Sequence, residues 1–252
     1  MSYLIAVTGK GGVGKTTLSA ILIDRLIKKD KSPVLAIDAD PNSCLDSALG
    51  VAVLKTVGKA REEVRDEAAE ALANGISKQQ LLELKISESL VEASGFDLIS
   101  MGRPEGAGCY CFANSVLKAI IAELSDSYPY VVLDNEAGLE NLSRRIVQKV
   151  DLLVLVSDPS NNGLNTLSRL HELTNEMQIE YKKLVLVVNR LRNGRLPERA
   201  QQIKELTNAD FLIGIPDDEQ IADFSENNCK MSDVDENNPV VKIIDDMINN
   251  AI

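Results

Sequence analysis

The chain of 252 residues is short of positive charge, of histidine and of long apolar runs. It carries 27 Lys+Arg against 38 Asp+Glu, a net charge of −11. Such a surface repels phosphate backbones and anionic lipid, so neither nucleic acid nor a membrane is an expected partner. No stretch approaches the ~18 uninterrupted apolar residues of a transmembrane helix. The first residues lack the basic flank, apolar core and small-residue cleavage site of a signal peptide, so a cytoplasmic location is expected. Disulfides are then improbable for the four cysteines, Cys44, Cys109, Cys111 and Cys229, and a close pair such as Cys109 and Cys111 suits metal or redox chemistry better. There is no Pro-, Gly- or Ser-rich linker and no internal repeat, so residues 1–252 read as a single domain.

What is present is enough apolar material for a core, 44% of residues, arranged in a recurring pattern. Short Val/Leu/Ile-rich runs at 3–7, 33–38, 96–101, 130–135, 151–157, 183–189 and 209–216 read as strands covered on both faces. They alternate with amphipathic stretches such as 16–29. The expected fold is α/β, a doubly wound, mostly parallel sheet flanked by helices. Residues 58–75, charged and Ala-rich, read as a solvated helix in an insertion. The C-terminal "PVVKIIDDMINNAI" reads as a docked helix, since Lys242 is its only basic residue.

"GKGGVGKTT", Gly9 to Thr17, meets the pattern G-x-x-x-x-G-K-[ST] through Gly9, Gly14, Lys15 and Thr16, with a strand before it and a helix after. In such a loop, here Gly9, Lys10, Gly11, Gly12, Val13 and Gly14, backbone N–H groups wrap a polyphosphate and the following helix N-terminus adds its dipole. Lys15 is expected to reach the β- and γ-phosphates, and Thr16, followed by Thr17, to offer its hydroxyl to Mg²⁺. Two further strands end in acids beside the expected phosphate site: "LAIDADPN" with Asp38 and Asp40, and "VVLDNEAG" with Asp134 as a second Mg²⁺-side acid. Gly138 permits a loop that senses the γ-phosphate. The strand ending "VVNRLRNG" keeps Asn189 but lacks the Lys and Asp of a guanine-reading motif, which favours ATP.

The loop, with its second lysine, Lys10, resembles the deviant Walker A P-loop ATPases, which include the nitrogenase iron protein, arsenite-pump ATPases and the ParA/MinD proteins. That resemblance implies that Lys10 contacts the partner's nucleotide across a homodimer, that Asp38 supports the Mg²⁺ shell and that Asp40 orients the attacking water. It also implies that Asn189 and the loop from Ile215 and Pro216 to Asp218 cradle the adenosine.

Cys109 and Cys111, in "GRPEGAGCYC", supply two thiolates where a Zn²⁺ or Ni²⁺ thiolate site wants four. His171 lies on a separate predicted helix, and Cys44 and Cys229 have no partner spacing; both are expected to be small buried or partly exposed thiols. A two-fold dimer would bring two such pairs around one metal. This motif, with "LDNEAGLENLSRR", "GKGGVGKTT" and "DADPN", resembles the CooC-type ATPases over nearly the whole chain. These mature nickel-dependent carbon monoxide dehydrogenase, and the acetyl-CoA synthase accessory ATPase is closely similar. The resemblance implies an ATP-hydrolysing metallochaperone that dimerises with ATP or metal, holds nickel (or zinc) on Cys109 and Cys111 and delivers it to the enzyme. Nickel storage on a His-rich tract is excluded by the single histidine. Two alternatives stay open: an iron–sulfur reductase like the iron protein, although "DNEAGLENLSRR" lacks that protein's second cluster cysteine, and a ParA/MinD-like spatial-organising ATPase, which the acidic charge disfavours.

Overall fold

The structure is a computed structural model and describes residues 2–102, 127–137 and 149–252. Cys109, Cys111 and Gly138 lie outside the described residues. The chain runs β1 (Tyr3–Gly9), α1 (Lys15–Lys28), β2 (Val34–Asp38), α2 (Leu45–Leu49), α3 (Val57–Ala73), α4 (Lys78–Ser87), β3 (Val91–Glu92), β4 (Phe96–Ser100) and β5 (Tyr130–Ala137). It continues through β6 (Lys149–Ser157), α5 (Asn161–Glu176), β7 (Glu180–Leu191), α6 (Glu198–Thr207), β8 (Phe211–Pro216), α7 (Glu219–Glu226) and α8 (Pro239–Ala251).

The strands form one sheet in the order β3-β4-β2-β5-β1-β6-β7-β8, parallel throughout except for the short edge pairing of β3 with β4. Continuous apolar strands need cover on both faces, and successive residues supply it. Leu4 and Ala6 of β1 join a core that includes Leu164, Leu167 and Leu170 of α5 and Ala200 and Ile203 of α6. Ile5 and Val7 point the other way, into a core with Ile21, Leu22 and Leu26 of α1 and Val241, Ile244 and Ile248 of α8. The sheet is thus sandwiched between two helix layers, the doubly wound α/β fold that the sequence pattern predicts.

The predicted strands are all present, with ends shifted by up to three residues. Two expectations need refining. The helix at 58–75 is α3, and it is not simply solvated: Val57 joins the main core, while Val64 and Ala71 pack with Leu81 of α4 in a small core of their own. Lys55 and Lys85 tie the α3–α4 pair together through Glu63, Glu67 and Glu88. Cys44 and Cys229 are both exposed, because each sits in a loop rather than in a strand or helix. Helix α8 docks as expected, its apolar stripe buried and Arg25 of α1 donating from Nε and Nη2 to Asp245, each at 2.9 Å. Among the described residues, no helix is long and apolar enough to cross a membrane.

Candidate functional site

In a parallel sheet the loops at the carboxyl ends of the strands gather at one edge, and a strand whose connections leave in opposite directions opens a crevice there. Here β1 lies between β5 and β6, and its carboxyl end runs into the Gly9–Gly14 loop. Close backbone packing dictates the first glycine: a Cβ on Gly9 would sit 2.2 Å from the Val156 carbonyl oxygen of β6. Gly14 has φ of 89° and caps α1; a Cβ there would meet the Asn189 amide nitrogen at 2.6 Å. The Asn189 Nδ2 instead donates to the Val13 carbonyl at 2.8 Å, and its Oδ1 accepts from the Arg190 N–H at 2.9 Å. Asn189 therefore braces the phosphate loop from β7.

Lys15, the first residue of α1, is buried and donates from Nζ to the Lys10 carbonyl at 3.2 Å. Burial pushes its pKa down, and the charges of Asp134, Asp40 and Glu136 partly restore it. The acids lie as the sheet register requires, Asp38 beside Asp134 on neighbouring strands β2 and β5. Both are essentially inaccessible to solvent. Burial raises Asp134 to about 6, against the pull of the Thr16 and Ser19 hydroxyls and the Lys15 charge. Burial likewise raises Asp38 to about 7, opposed by backbone N–H bonds and reinforced by Asp134 and Asp40. Two such neighbours do not both ionise readily without a cation.

The two acids are used differently. Asp38 accepts the Asp40 N–H on Oδ1 and the Leu45 N–H on Oδ2, each at 3.0 Å, so it staples the 39–45 loop to the sheet. Asp134 accepts from Ser19 Oγ at 3.1 Å on Oδ1, while its buried Oδ2 has no hydrogen-bond partner among the described residues. An unsatisfied buried carboxylate oxygen beside the Thr16 hydroxyl is a donor set that fits a hard divalent cation such as Mg²⁺ with its water shell. Asp40 sits in the loop beyond, its Oδ1 accepting both the backbone N–H (2.8 Å) and the side-chain Nδ2 (3.0 Å) of Asn42.

Next to the loop opens a cavity of about 760 Å³. Gly12, Gly14 and Thr17 bound it on one side and Asn189, Ile215 and Pro216 on another, so the predicted loop and adenosine residues converge on one space. Asp218 also borders it, but its Oδ1 is occupied, capping α7 through the Ile221 N–H and accepting from Asn238 Nδ2, each at 3.0 Å. Asp218 thus fixes the start of α7 through Oδ1 while lining the same cavity as Asn189, Ile215 and Pro216. The sequence reading missed the apolar walls, Leu18, Ile21, Ile221 and Val240, and the buried polar residues Ser19, Asn135 and Ser157. Ser19 was legible in principle, three positions after Thr16 on the same helix face.

A model of the CobQ/CobB/MinD/ParA nucleotide-binding domain matches residues 4–230. The chain belongs to this family. By family and motif it is a P-loop ATPase. Among curated relatives, an uncharacterized ATP-binding protein of Methanocaldococcus jannaschii is 42% identical over 99% of this chain and 98% of its own. The carbon monoxide dehydrogenase accessory protein CooC of Rhodospirillum rubrum is 32% identical over 86% of this chain and 84% of its own. A ParA family ATPase from Chlorobium tepidum shares the fold, with TM-score 0.72 and 19% identity over 98% of this chain and 97% of that one.

Proposed function

We propose that this family member is an ATP-hydrolysing metallochaperone that delivers nickel during maturation of carbon monoxide dehydrogenase or acetyl-CoA synthase. The observation that carries the reading is the Cys109–Cys111 pair in a chain 32% identical to a CooC protein. In this reading Gly9 to Gly14 present N–H groups to the phosphates of ATP, and Lys15 turns from the Lys10 carbonyl to the β- and γ-phosphates. Thr16 and Asp134 hold a Mg²⁺ ion, which when bound neutralises charge on the phosphates. Asp38 supports that shell by keeping the 39–45 loop in place. Asp40, fixed by Asn42, orients the attacking water, and Asn189, Ile215 and Pro216 enclose the adenosine.

Lys10 reaches the nucleotide of a second copy, so ATP favours the closed dimer and hydrolysis removes the differential contact. Closing the dimer brings two Cys109–Cys111 pairs together around one Ni²⁺, with Zn²⁺ able to replace it in a tetrahedral thiolate site. Because both ligands favour the same dimer, each must tighten the other's binding.

The experiment is titration of the metal-free protein with Ni²⁺, with and without a non-hydrolysable ATP analogue, while following mass. One metal per two chains is expected, and Cys109→Ser should lose metal-induced dimerisation while keeping ATP binding. A serine variant that still dimerises with nickel at the parent affinity refutes the reading. The family and the ParA-like fold equally accommodate a spatial-organising ATPase; cosedimentation with DNA or anionic vesicles would favour that role instead.

A further inference from the structure

The end of β7 and the loop into α6 carry Arg190, then Arg192 and Arg195, with Arg199 in the first turn of α6. Four arginines within ten residues are conspicuous on a chain of net charge −11. Arg190, Arg192 and Arg195 are exposed and form no ion pair among the described residues. By contrast, several other bases are spent on structure: Arg25 on Asp245, Lys55 on Glu63 and Glu88, Lys85 on Glu67. Arg199 is held by Asn165.

The loop's backbone is set rather than loose. Arg190 adopts φ of 60°, a left-handed conformation unusual for a side-chain-bearing residue, stabilised by its N–H bond to Asn189 Oδ1. Gly194, at φ 61°, turns the chain back with its N–H on the Leu191 carbonyl. Arg190 and Arg192 border the nucleotide cavity, and Arg195 follows on the far side of the turn. The acids around the loop are Glu198 and, on the wall of the cavity, Asp158, Asp217, Asp218 and Glu226. Asp158 is pushed up by burial but drawn below the ordinary carboxylate range by bonds from Ser160 and the charges of Lys10 and Arg190. Asp217 is tied through its N–H to the Leu191 carbonyl. With Lys10 and Arg199 counted, five cations meet these five carboxylates, yet among the described residues none of the five acids lies within ion-pair distance of Arg190, Arg192 or Arg195, whose exposed guanidiniums are left for a partner.

We propose that this loop is a docking surface for an acidic protein segment, an Asp/Glu-rich face or tail of a partner, seated at the mouth of the nucleotide cavity. Guanidinium forks match carboxylates two bonds at a time, and arginine is the charged residue that interfaces favour. Leu196, 38% exposed directly after Arg195, adds apolar contact area. A nucleic acid is disfavoured: its affinity comes from many phosphates neutralised together, whereas this patch is a few residues long on an otherwise anionic surface. The proposal is independent of any metal cargo.

The test uses the full chain and a fluorescently labelled glutamate-rich peptide, with a charge-balanced peptide and a labelled DNA duplex as comparisons, read by anisotropy. The glutamate-rich peptide should bind best and weaken steeply as salt rises. The Arg192→Glu/Arg195→Glu variant should lose at least tenfold in affinity at unchanged melting temperature, and Arg195→Gln alone, outside the cavity, should move the same way by a smaller factor. Arg192→Lys/Arg195→Lys should recover only part of the loss. Peptide binding indifferent to these substitutions, no preference for it over the charge-balanced peptide, or tighter binding of DNA that the same variants abolish, each overturns the proposal.

Discussion

Replacing Asp134 by asparagine is expected to stabilise the nucleotide-free protein increasingly as pH rises, while abolishing its use of Mg²⁺. Asp134 titrates at about 6 in the fold, against 3.8 when unperturbed, because burial disfavours its charge. A carboxyl raised in the folded state contributes its full stability below the unfolded value and loses it as pH rises through the folded one. The full difference of about two units corresponds to roughly 3 kcal/mol. About 1.4 kcal/mol of that falls between pH 5 and pH 8, by linkage from the two values. Asparagine does not titrate, so any constant cost of its amide shifts the whole curve and leaves the slope informative. Removing the charge also lowers the neighbouring Asp38, which Asp134 helps to raise, and adds to the effect at neutral pH. Urea unfolding in EDTA across pH 5 to 8 measures the difference between variant and parent. Parallel curves, with no growth of the difference toward pH 8, would refute the claim that this carboxyl is held at the expense of stability. Calorimetry of ATP binding with and without Mg²⁺ provides the second reading, in which the metal dependence should vanish.

Gly9→Ala should cost about 3 kcal/mol or more, since the new methyl meets the Val156 carbonyl of the neighbouring strand, and thermal melts will register it as poor or absent folding. Ile248→Ala, at a position 1% exposed against α1, should cost about 2–5 kcal/mol in denaturant unfolding. Asp40→Asn should leave ATP affinity within a few fold and lower single-turnover hydrolysis by about 100-fold or more, the scale of a lost positioned carboxylate; unchanged turnover would remove Asp40 from the mechanism.

How much of this was readable in the residues varied with the range of the signal. The strands of the sheet are covered on both faces, so each wrote itself as an unbroken apolar run, and the loop after β1 declared its purpose by pattern and context. β3 escaped because two residues pairing antiparallel at an edge have no period to detect. α4 carries its start signal openly, Ser77 and Gln80 forming a reciprocal cap, but its apolar pattern is too faint to announce a helix. The acids expected at strand ends do lie at the carboxyl ends of β2 and β5, whereas the bonds each site candidate makes depend on neighbours outside its own motif. Asp38 is claimed by the N–H groups of Asp40 and Leu45, Asp218 by α7 and Asn238, and Asn189 by the carbonyl of Val13, and no spacing rule distinguishes those fates from bonds to a ligand. The walls of the cavity were illegible for the same reason, drawn as they are from α1, α7 and α8.

Helix α8 bears on how the protein is handled in the laboratory. It lies more than two hundred residues after the phosphate loop, yet Val240 at its start borders the cavity beside that loop, and Asp245 and Asn249 grip Arg25 and Lys29 at the far end of the helix that Lys15 begins. Trimming the chain before Pro239 to obtain a tidier fragment would remove a wall of the cavity beside the phosphate loop and strip the outer face of α1 in one cut. A preparation shortened there that binds nucleotide poorly would be reporting a missing side of the container rather than a defect in the phosphate-binding motif.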